Sequence, residues 1–469
     1  MGQLQELAQL VGESNVLTHD QAQSALMDWR ERFTGQAMAV VRPGSPQEVA
    51  SVVRWCLANG VPVVPQGGNT GLCGGATPDQ QGNAIVLSLA RLNSIRDIDL
   101  ENDTMVVEAG CILQTVQEAA HGAGRLFPLS LAAEGSCTIG GNLATNAGGT
   151  QVLRYGNARD LTLGLEVVTA QGEIWNGLRG LRKDNTGYDL RNLFIGSEGT
   201  LGIITAATLK LYPQPVAQCT ALLALNSIPD AITVLNMARQ GFGPALTGFE
   251  LMAGNCLQAV VNCYPEQRLP FEGDSADQPW YALLELSDSE SEDHARERFE
   301  TVLGEAIEAG VVSDAVVAES LAQSHALWHL RESVPLAERK FGFGIKHDVS
   351  IPVSRIAEFV SSTNAALQQQ FSGIEHVVFG HLGDGNLHYN VAAGDSWEDA
   401  ELERVQADVS RLIYDQVHQF DGSISAEHGV GQLKRDTLPR YKEAVELSLM
   451  RTIKQALDPA GIMNPGKVV

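Results

Sequence analysis

Three observations predict a protein of mixed helix and sheet, divided into two or three domains. At 469 residues the chain is longer than a single hydrophobic core supports. From Ser45 to Pro213, helix and strand signals alternate around glycine-rich loops. After Pro213–Pro215 the alternation continues but the glycine loops stop, which marks a domain boundary.

Residues 3–35 read as an arm of short, weakly amphipathic helices. Ser45-Pro46 then opens a clear helix, because serine is a good N-cap and proline suits the first helical position. Val49, Val52, Val53 and Cys56 fall on one face and Gly60 closes the segment. A strand at Val61–Val64 runs straight into Pro65-Gln-Gly-Gly-Asn-Thr-Gly71. Strands follow at Ala84–Leu89 and Thr104–Ala109, then a helix over Leu113–Ala120. Leu163–Ala170 and Glu173–Trp175 form a hairpin about Gln171-Gly172. In the second part, Thr220–Leu225, Trp280–Leu286 and Gly344–Val353 read as strands. Asp293–Glu308, Trp397–Phe420 and Ala444–Leu457 read as helices.

The glycine loops carry the first chemical signal. Successive backbone N–H groups in such turns make a concavity for anions, and the missing side chains let a phosphate approach closely. The loop at 67–75 alone is weak, since surface loops are also glycine-rich. A second run, Gly135 to Gly149, adds small residues with amide and hydroxyl groups, as a backbone wrapped around a polar cofactor requires. No G-x-G-x-x-G fingerprint occurs. Gly461–Lys467 has Walker A spacing, but Val468 replaces the required hydroxyl residue.

The second signal is Phe379-Gly-His-Leu-Gly-Asp-Gly-Asn-Leu-His-Tyr-Asn390. Asp384-Gly385 predicts a two-residue type I′ turn. Counting outward, Gly383 then faces Asn386, Leu382 faces Leu387, and His381 faces His388. Two imidazoles so placed can share a metal ion, with Asn390 on the same face. Taken alone, the pair reads more simply as two surface histidines. Ser425-Ala-Glu427-His428-Gly429-Val-Gly431 supplies a further carboxylate and imidazole. A His, His, Glu set suits zinc or a similar divalent ion with an open position.

Composition narrows the partners. A net charge of −24 argues against nucleic acid and anionic membrane surfaces, and makes any cation that binds an acidic substrate a local exception. Seven cysteines without a C-x-x-C pair point to reduced thiols rather than a disulfide framework. With no signal peptide and no span-length apolar run visible, a soluble cytoplasmic protein is expected.

The motifs PQGGNTG (Pro65–Gly71), the run at 135–149, LRYG (Leu153–Gly156), KDNTGYDL (Lys183–Leu190) and GSEGTLGIIT (Gly196–Thr205) resemble the flavin domain of the vanillyl-alcohol oxidase/p-cresol methylhydroxylase superfamily. With GHLGDGNLH and SAEHGVG, they resemble its branch of FAD-linked D-2-hydroxy acid dehydrogenases, most of all the members that oxidise D-2-hydroxyglutarate. The resemblance runs from about Val41 to the C-terminus. It implies an α+β fold: a two-subdomain FAD-binding domain over 1–213 with the helical arm, and a substrate- and metal-binding domain with an antiparallel sheet over 214–420. A helical segment over 421–469 would complete the active site and pack on the FAD domain.

It implies FAD contacts from Pro65, Gln66, Gly67, Gly68, Asn69, Thr70, Gly71, Gly135, Ser136, Ile139, Gly140, Asn142, Ala144, Thr145, Asn146, Gly148, Glu198, Gly199 and Ile203. Some superfamily members bond the flavin to a histidine in the first loop. Gln66–Asn69 contains none, so noncovalent FAD is expected. His381, His388 and Glu427 match the branch's metal ligands, with zinc expected and manganese or cobalt as substitutes. His428 matches its proton-accepting histidine. Arg331 matches the grip on the substrate C1 carboxylate, and Lys346 and Asn390 match further substrate contacts. Pro335 departs from the pattern, standing where some relatives have a hydroxyl residue. The implied partners are a D-2-hydroxy acid, a separate electron acceptor (an electron-transfer flavoprotein or quinone-linked carrier) and a second copy in a homodimer.

Each residue also has a plainer reading. Arg331 beside Glu332 could be a helix-surface ion pair. Lys346, two residues before Asp348 in a strand, could form a same-face salt bridge. Glu427 and His428 could be a solvated loop pair. Two other functions compete: oxidation of D-lactate, glycolate or another D-2-hydroxy acid, and a metal-dependent hydrolase using His428 as base. Lys346, a cation available for a second carboxylate, favours the dicarboxylate.

Overall fold

The computed structural model describes residues 2–469. The chain folds as two compact units. The first comprises Met1–Gly149, Gly156–Gln214 and Glu427–Val469, and the second Thr150–Tyr155 and Pro215–Ala426.

Two sheets organise the first unit. The smaller has the order β1 (Val16–Leu17), β2 (Ala39–Val41), β4 (Ile85–Ser88), β3 (Val63–Gln66); β2, β4 and β3 run parallel. The parallel crossover into β3 is the helix Pro46–Asn59. Ser45 Oγ caps it by accepting from Glu48 N at 3.2 Å, and Gly60 ends it in a left-handed turn. Its buried face is Val49, Val52, Val53 and Cys56, the set that the apolar spacing predicts. The larger sheet is antiparallel: β5 (Ile95–Asp99), β6 (Thr104–Glu108), β10 (Gly202–Lys210), β8 (Thr162–Thr169), β9 (Ile174–Gly177). The β8–β9 hairpin turns at Gln171-Gly172 as predicted, with Gly172 N donating to Thr169 O. Two short strands, β7 (Arg125–Leu126) and β11 (Tyr212–Pro213), pair beside it.

The C-terminal tail joins the smaller sheet. Met463 bridges Val63 in parallel, with Val63 N donating to Ile462 O and Asn464 N to Val63 O, both at 2.8 Å. Asp458 organises the approach. Its carboxylate is buried, pairs with Lys454 Nζ at 2.6 Å, and accepts from the backbone N–H groups of Ile462 and Met463.

The second unit is built on an antiparallel sheet of order β15 (Asp314–Val317), β12 (Ala217–Leu225), β14 (Trp280–Asp288), β13 (Leu246–Ala253), β18 (Glu375–His381), β19 (Asn386–Ala392), β16 (Gly344–Ile345), with β17 (Asp348–Ser350) also on β19. One core gathers Met252, Tyr281, Leu283 and Phe379 from the sheet with Leu257 and Val260 from helix Gly254–Cys263. Leu327, Leu330 and Val334 from helix Leu321–Ala337 complete it. Each such side chain contributes about 1.5–3 kcal/mol on burial.

Two sequence expectations are corrected here. The strand predicted over Gly344–Val353 is interrupted at Lys346-His347. Ile345 pairs with Val391 and Asp348 with His388, so the register is continuous, but the Asn390 side chain takes His347 N at 3.0 Å. The predicted two-residue turn is instead four residues, Leu382 to Gly385. His381 therefore faces Asn386, and His388 faces Phe379. A type I′ turn needs positive φ at both central residues, and Asp384 is not among the residues with positive φ. Strand β13 overrides it: Gly383 N donates to Phe249 O, while Gly385 N reaches back to His381 O. The slip is two residues, an even number, so both histidines stay on one face of the sheet. Among the described residues, no helix is long and apolar enough to cross a membrane.

Candidate active site

In the first unit, β3 delivers Gln66 and the glycine loop to a cleft. Gln66 Nε2 donates to Ala25 O and Ala76 O at 2.9 Å. Asn69, at φ +53°, ties its amide to Ser24 O and Met27 O. The two glycine runs touch. A Cβ on Gly67 would stand 2.3 Å from Thr138 Oγ1, and one on Gly68 would stand 2.1 Å from the Ser136 carbonyl oxygen. Only glycine permits that approach. The second run continues as helix Ile139–Thr145, stopped by Asn146 in the left-handed region.

Pro65, Gln66, Gly67, Gly68, Asn69, Thr70, Gly71, Gly140, Asn142, Ala144, Thr145, Glu198, Gly199 and Ile203 line the cleft. Gly135, Ser136, Ile139, Asn146 and Gly148, proposed from sequence, do not line it. Thr138, Gly141, Leu89 and Ile204, not proposed, do. Thr138 Oγ1 is buried without a protein hydrogen-bond partner, an orphan that a polar ligand would satisfy. A glycine-walled cleft with apolar sides and an orphan hydroxyl fits FAD.

His428 also lines this cleft. Its segment is held by a buried carboxylate at its side. Glu198, at φ +52°, accepts from Val430 N at 2.7 Å and Gly431 N at 2.8 Å. Burial pushes this carboxyl above its ordinary value, against the pull of those two N–H bonds and of Lys434 and Lys467. Gly431 lies so close to Cys73 that a Cβ would stand 2.1 Å from the Cys73 carbonyl oxygen. Glu427 accepts from Gly149 N through Oε1 at 2.7 Å.

In the second unit, His381 and His388 meet edge to face, ring centroids 5.9 Å apart, with a nitrogen of each within 4.8 Å. A diagonal cross-strand pair is within reach of aromatic rings. The spacing fits two ligands of one ion at ~2.0–2.1 Å each after a small side-chain rotation. Asp348 stands across from His388 in register, with a carboxylate oxygen within 4.8 Å of an imidazole nitrogen. Asp348 also accepts from Asn386 Nδ2 at 2.9 Å and from Ala426 N at 3.1 Å.

Arg331 is buried, so it is not the helix-surface pair that the adjacent Glu332 allowed. Its Nε donates to Glu250 Oε2 at 2.7 Å, and its guanidinium lies 5.0 Å from the Phe379 ring centroid. Glu250 Oε1 meets His381 Nδ1 at 2.6 Å. Burial alone would raise the Glu250 carboxyl; the charges and hydrogen bonds of His381 and Arg331 outweigh it and bring it down to about 2. Lys346 pairs with Glu338 and donates to Pro335 O at 3.4 Å. Asn390 Nδ2 donates to the other Glu338 oxygen at 2.8 Å.

Sequence reading missed Glu250 and Glu338. Glu250 was legible: a lone carboxylate in the apolar run Leu246–Ala253 must be either solvated or paired with cations. Glu338 was not, because Glu338-Arg-Lys reads as an ordinary charged surface.

Comparison with known proteins agrees with this architecture. Residues 37–177 match the FAD binding domain family, and residues 214–468 match the C-terminal domain of FAD linked oxidases. A D-2-hydroxyglutarate dehydrogenase of Xanthomonas citri pv. viticola is 42% identical over 94% of this chain and 91% of its own length. The mitochondrial enzymes of that name from Arabidopsis thaliana and Bos taurus are 37% and 38% identical, over 98% and 94% of this chain and 80% and 79% of theirs. Among solved structures, substrate-bound p-cresol methylhydroxylase superposes with a TM-score of 0.78 at 18% identity, covering 99% of this chain and 96% of that one. Alkyldihydroxyacetonephosphate synthase gives 0.74 at 16%, over 98% and 84%. The fold is that of the vanillyl-alcohol oxidase/p-cresol methylhydroxylase group, and the chain belongs to the family of FAD-linked oxidases that includes the D-2-hydroxyglutarate dehydrogenases.

Proposed function

We propose that the protein oxidises D-2-hydroxyglutarate to 2-oxoglutarate, using noncovalent FAD and a divalent ion held by His381, His388 and Glu427. The observation that carries this reading is the second unit's sheet face. It presents two imidazoles together with a buried arginine tied to the same carboxylate as one of them.

FAD held in the glycine-walled cleft would supply the acceptor for the hydride from C2, with a separate carrier taking the two electrons onward. A divalent ion, zinc with manganese or cobalt as substitutes, would supply Lewis acidity to the substrate hydroxyl. Arg331 holds the C1 carboxylate: with Nε engaged by Glu250, its terminal N–H groups remain for a bidentate grip. His428 accepts the hydroxyl proton, a contribution of typically ~10²–10⁴-fold for a positioned base. Glu198 holds the backbone beside that imidazole. Glu427, whose Oε1 accepts from Gly149 N, would supply the carboxylate ligand. Lys346 and Asn390 contact the distal carboxylate of the substrate.

One observation favours a second reading, in which a D-2-hydroxy monocarboxylate such as D-lactate or glycolate is the substrate. Lys346 is paired with Glu338, which offsets the charge that a distal carboxylate would seek. Steady-state kinetics with a dye acceptor on D-2-hydroxyglutarate, D-lactate and glycolate separate the two. A higher kcat/KM on D-lactate than on the dicarboxylate rejects the proposal in favour of the second reading.

A further inference from the structure

Glu250 lies on β13, directly across from His381 on β18. Its neighbours on the strand, Phe249, Leu251 and Met252, are buried apolar residues, and Glu250 itself is fully buried. A carboxylate in such a place requires partners that donate to both oxygens. It has one for each: His381 Nδ1 at 2.6 Å on Oε1, and Arg331 Nε at 2.7 Å on Oε2.

We infer that Glu250 is a positioning residue that prepares the metal side and the carboxylate side of the site with one group. Toward His381 it keeps the proton on Nδ1 and fixes the ring, which leaves Nε2 as the only lone pair for an ion. Ligating histidines held by a carboxylate in this way bind metal about 10- to 100-fold more tightly than those without it. Toward Arg331 it takes the Nε–H and fixes the plane of the guanidinium, leaving its parallel terminal N–H groups for an incoming carboxylate. The Phe379 ring beneath the guanidinium restricts it further. The inference rests on the proposed function, in which His381 is a ligand and Arg331 grips the substrate.

The donor–acceptor pattern makes the role testable. Both partners donate, so a carboxylate satisfies both. An amide has one acceptor and one donor end and satisfies only one. If the amide oxygen stays with Arg331, its NH₂ faces His381 Nδ1; the imidazole then moves its proton to Nε2 and loses the ligating lone pair. Glu250→Gln holoenzyme should therefore release zinc at a free-chelator concentration at least tenfold lower than wild type, with flavin content and Tm within reach of wild type. The double variant Glu250→Gln/Arg331→Met lets the amide oxygen turn to His381. It should regain zinc retention while losing the substrate grip, seen as a raised KM.

Zinc content after graded chelator dialysis is the readout, measured together with KM for D-2-hydroxyglutarate. Wild type that holds no metal overturns the proposed function itself. Wild type and Glu250→Gln that hold zinc equally, with equal KM, overturn only the role of Glu250. Zinc retention no better in the double variant than in Glu250→Gln rejects the acceptor argument. Should Glu250→Gln fail to fold, Glu250→Asp decides. A carboxylate one methylene shorter cannot reach both partners, so unchanged zinc retention and KM in that variant overturn the inference.

Discussion

Lys346 and Asn390 share Glu338: the ammonium pairs with one carboxylate oxygen and the Asn390 amide donates to the other at 2.8 Å. The two side chains assigned to the substrate's far end are thus preassembled on one acid. On the proposed reading, the Glu338 carboxylate offsets the Lys346 charge, so discrimination between di- and monocarboxylates would rest on directed hydrogen bonds rather than on bulk positive potential.

Lys346→Ala should reduce kcat/KM for D-2-hydroxyglutarate by roughly 10- to 100-fold, since a hydrogen bond to a charged group contributes about 1.5–3 kcal/mol. D-Lactate turnover should change little. Arg331→Ala should impair both acids alike. Equal losses on the two acids in Lys346→Ala would assign the lysine to the C1 end or to the fold.

Chelation should abolish turnover while the visible flavin spectrum persists, because the FAD loops and the histidine face are built by separate parts of the chain. Zinc, manganese or cobalt should restore the rate, and His388→Ala should behave as the chelated enzyme does. Full activity in metal-free protein would refute the ligand assignment.

Acid precipitation should release the flavin into the supernatant, as Gln66–Asn69 holds no histidine to bond it. Gly68→Ala should purify with little flavin and a lowered Tm: the added methyl would sit 2.1 Å from a backbone oxygen that no side-chain rotation can move. Wild-type flavin content in Gly68→Ala would show that the two loops part without cost.

Lys467 gives the pH dependence. Burial holds its ammonium down at about 8, with Arg435 pushing the same way and Asp79 and Glu198 opposing, against an ordinary value of 10.5. The unfolded chain therefore binds more protons between pH 8 and 10.5, and stability rises with pH across that window. Below pH 8 the folded state carries the cost of a buried charge. Lys467→Met should remove this rise, a difference on the order of 2 kcal/mol between the ends of the window. Denaturant titrations of both proteins at pH 7.5 and 10.5 measure it; parallel pH slopes would count against the burial argument.

Much of the site was legible because its chemistry sits in local motifs. The glycine loops require close backbone approach, and the apolar period of Pro46–Asn59 sets its buried face. What was not legible depends on distant partners. Asp384-Gly385 encodes a tight turn by itself, but Phe249 O captures Gly383 N and lengthens it. The histidines survive that error only because an even slip preserves the sheet face. The break at Lys346-His347 depends on an asparagine side chain from the neighbouring strand, and Glu338 becomes meaningful only once Lys346 and Asn390 converge on it. Phe249 and Gly383, His347 and Asn390, and Glu338 and Asn390 are too far apart for any one window of sequence to hold both.

The bridge between Val63 and Met463 has a consequence for synthesis. The strand that carries the first glycine loop gains its last neighbour from residues made about 400 positions later. At ribosomal rates of 5–20 residues per second that interval is roughly 20–80 s. Asn464 then donates to Gly75 O and Glu198 O, tying together two loops made long before it. Until then the nascent chain exposes a half-built nucleotide cradle. A chain that stops short of Ile462 lacks both the bridge to Val63 and the ties that Asn464 makes between the Gly75 and Glu198 loops.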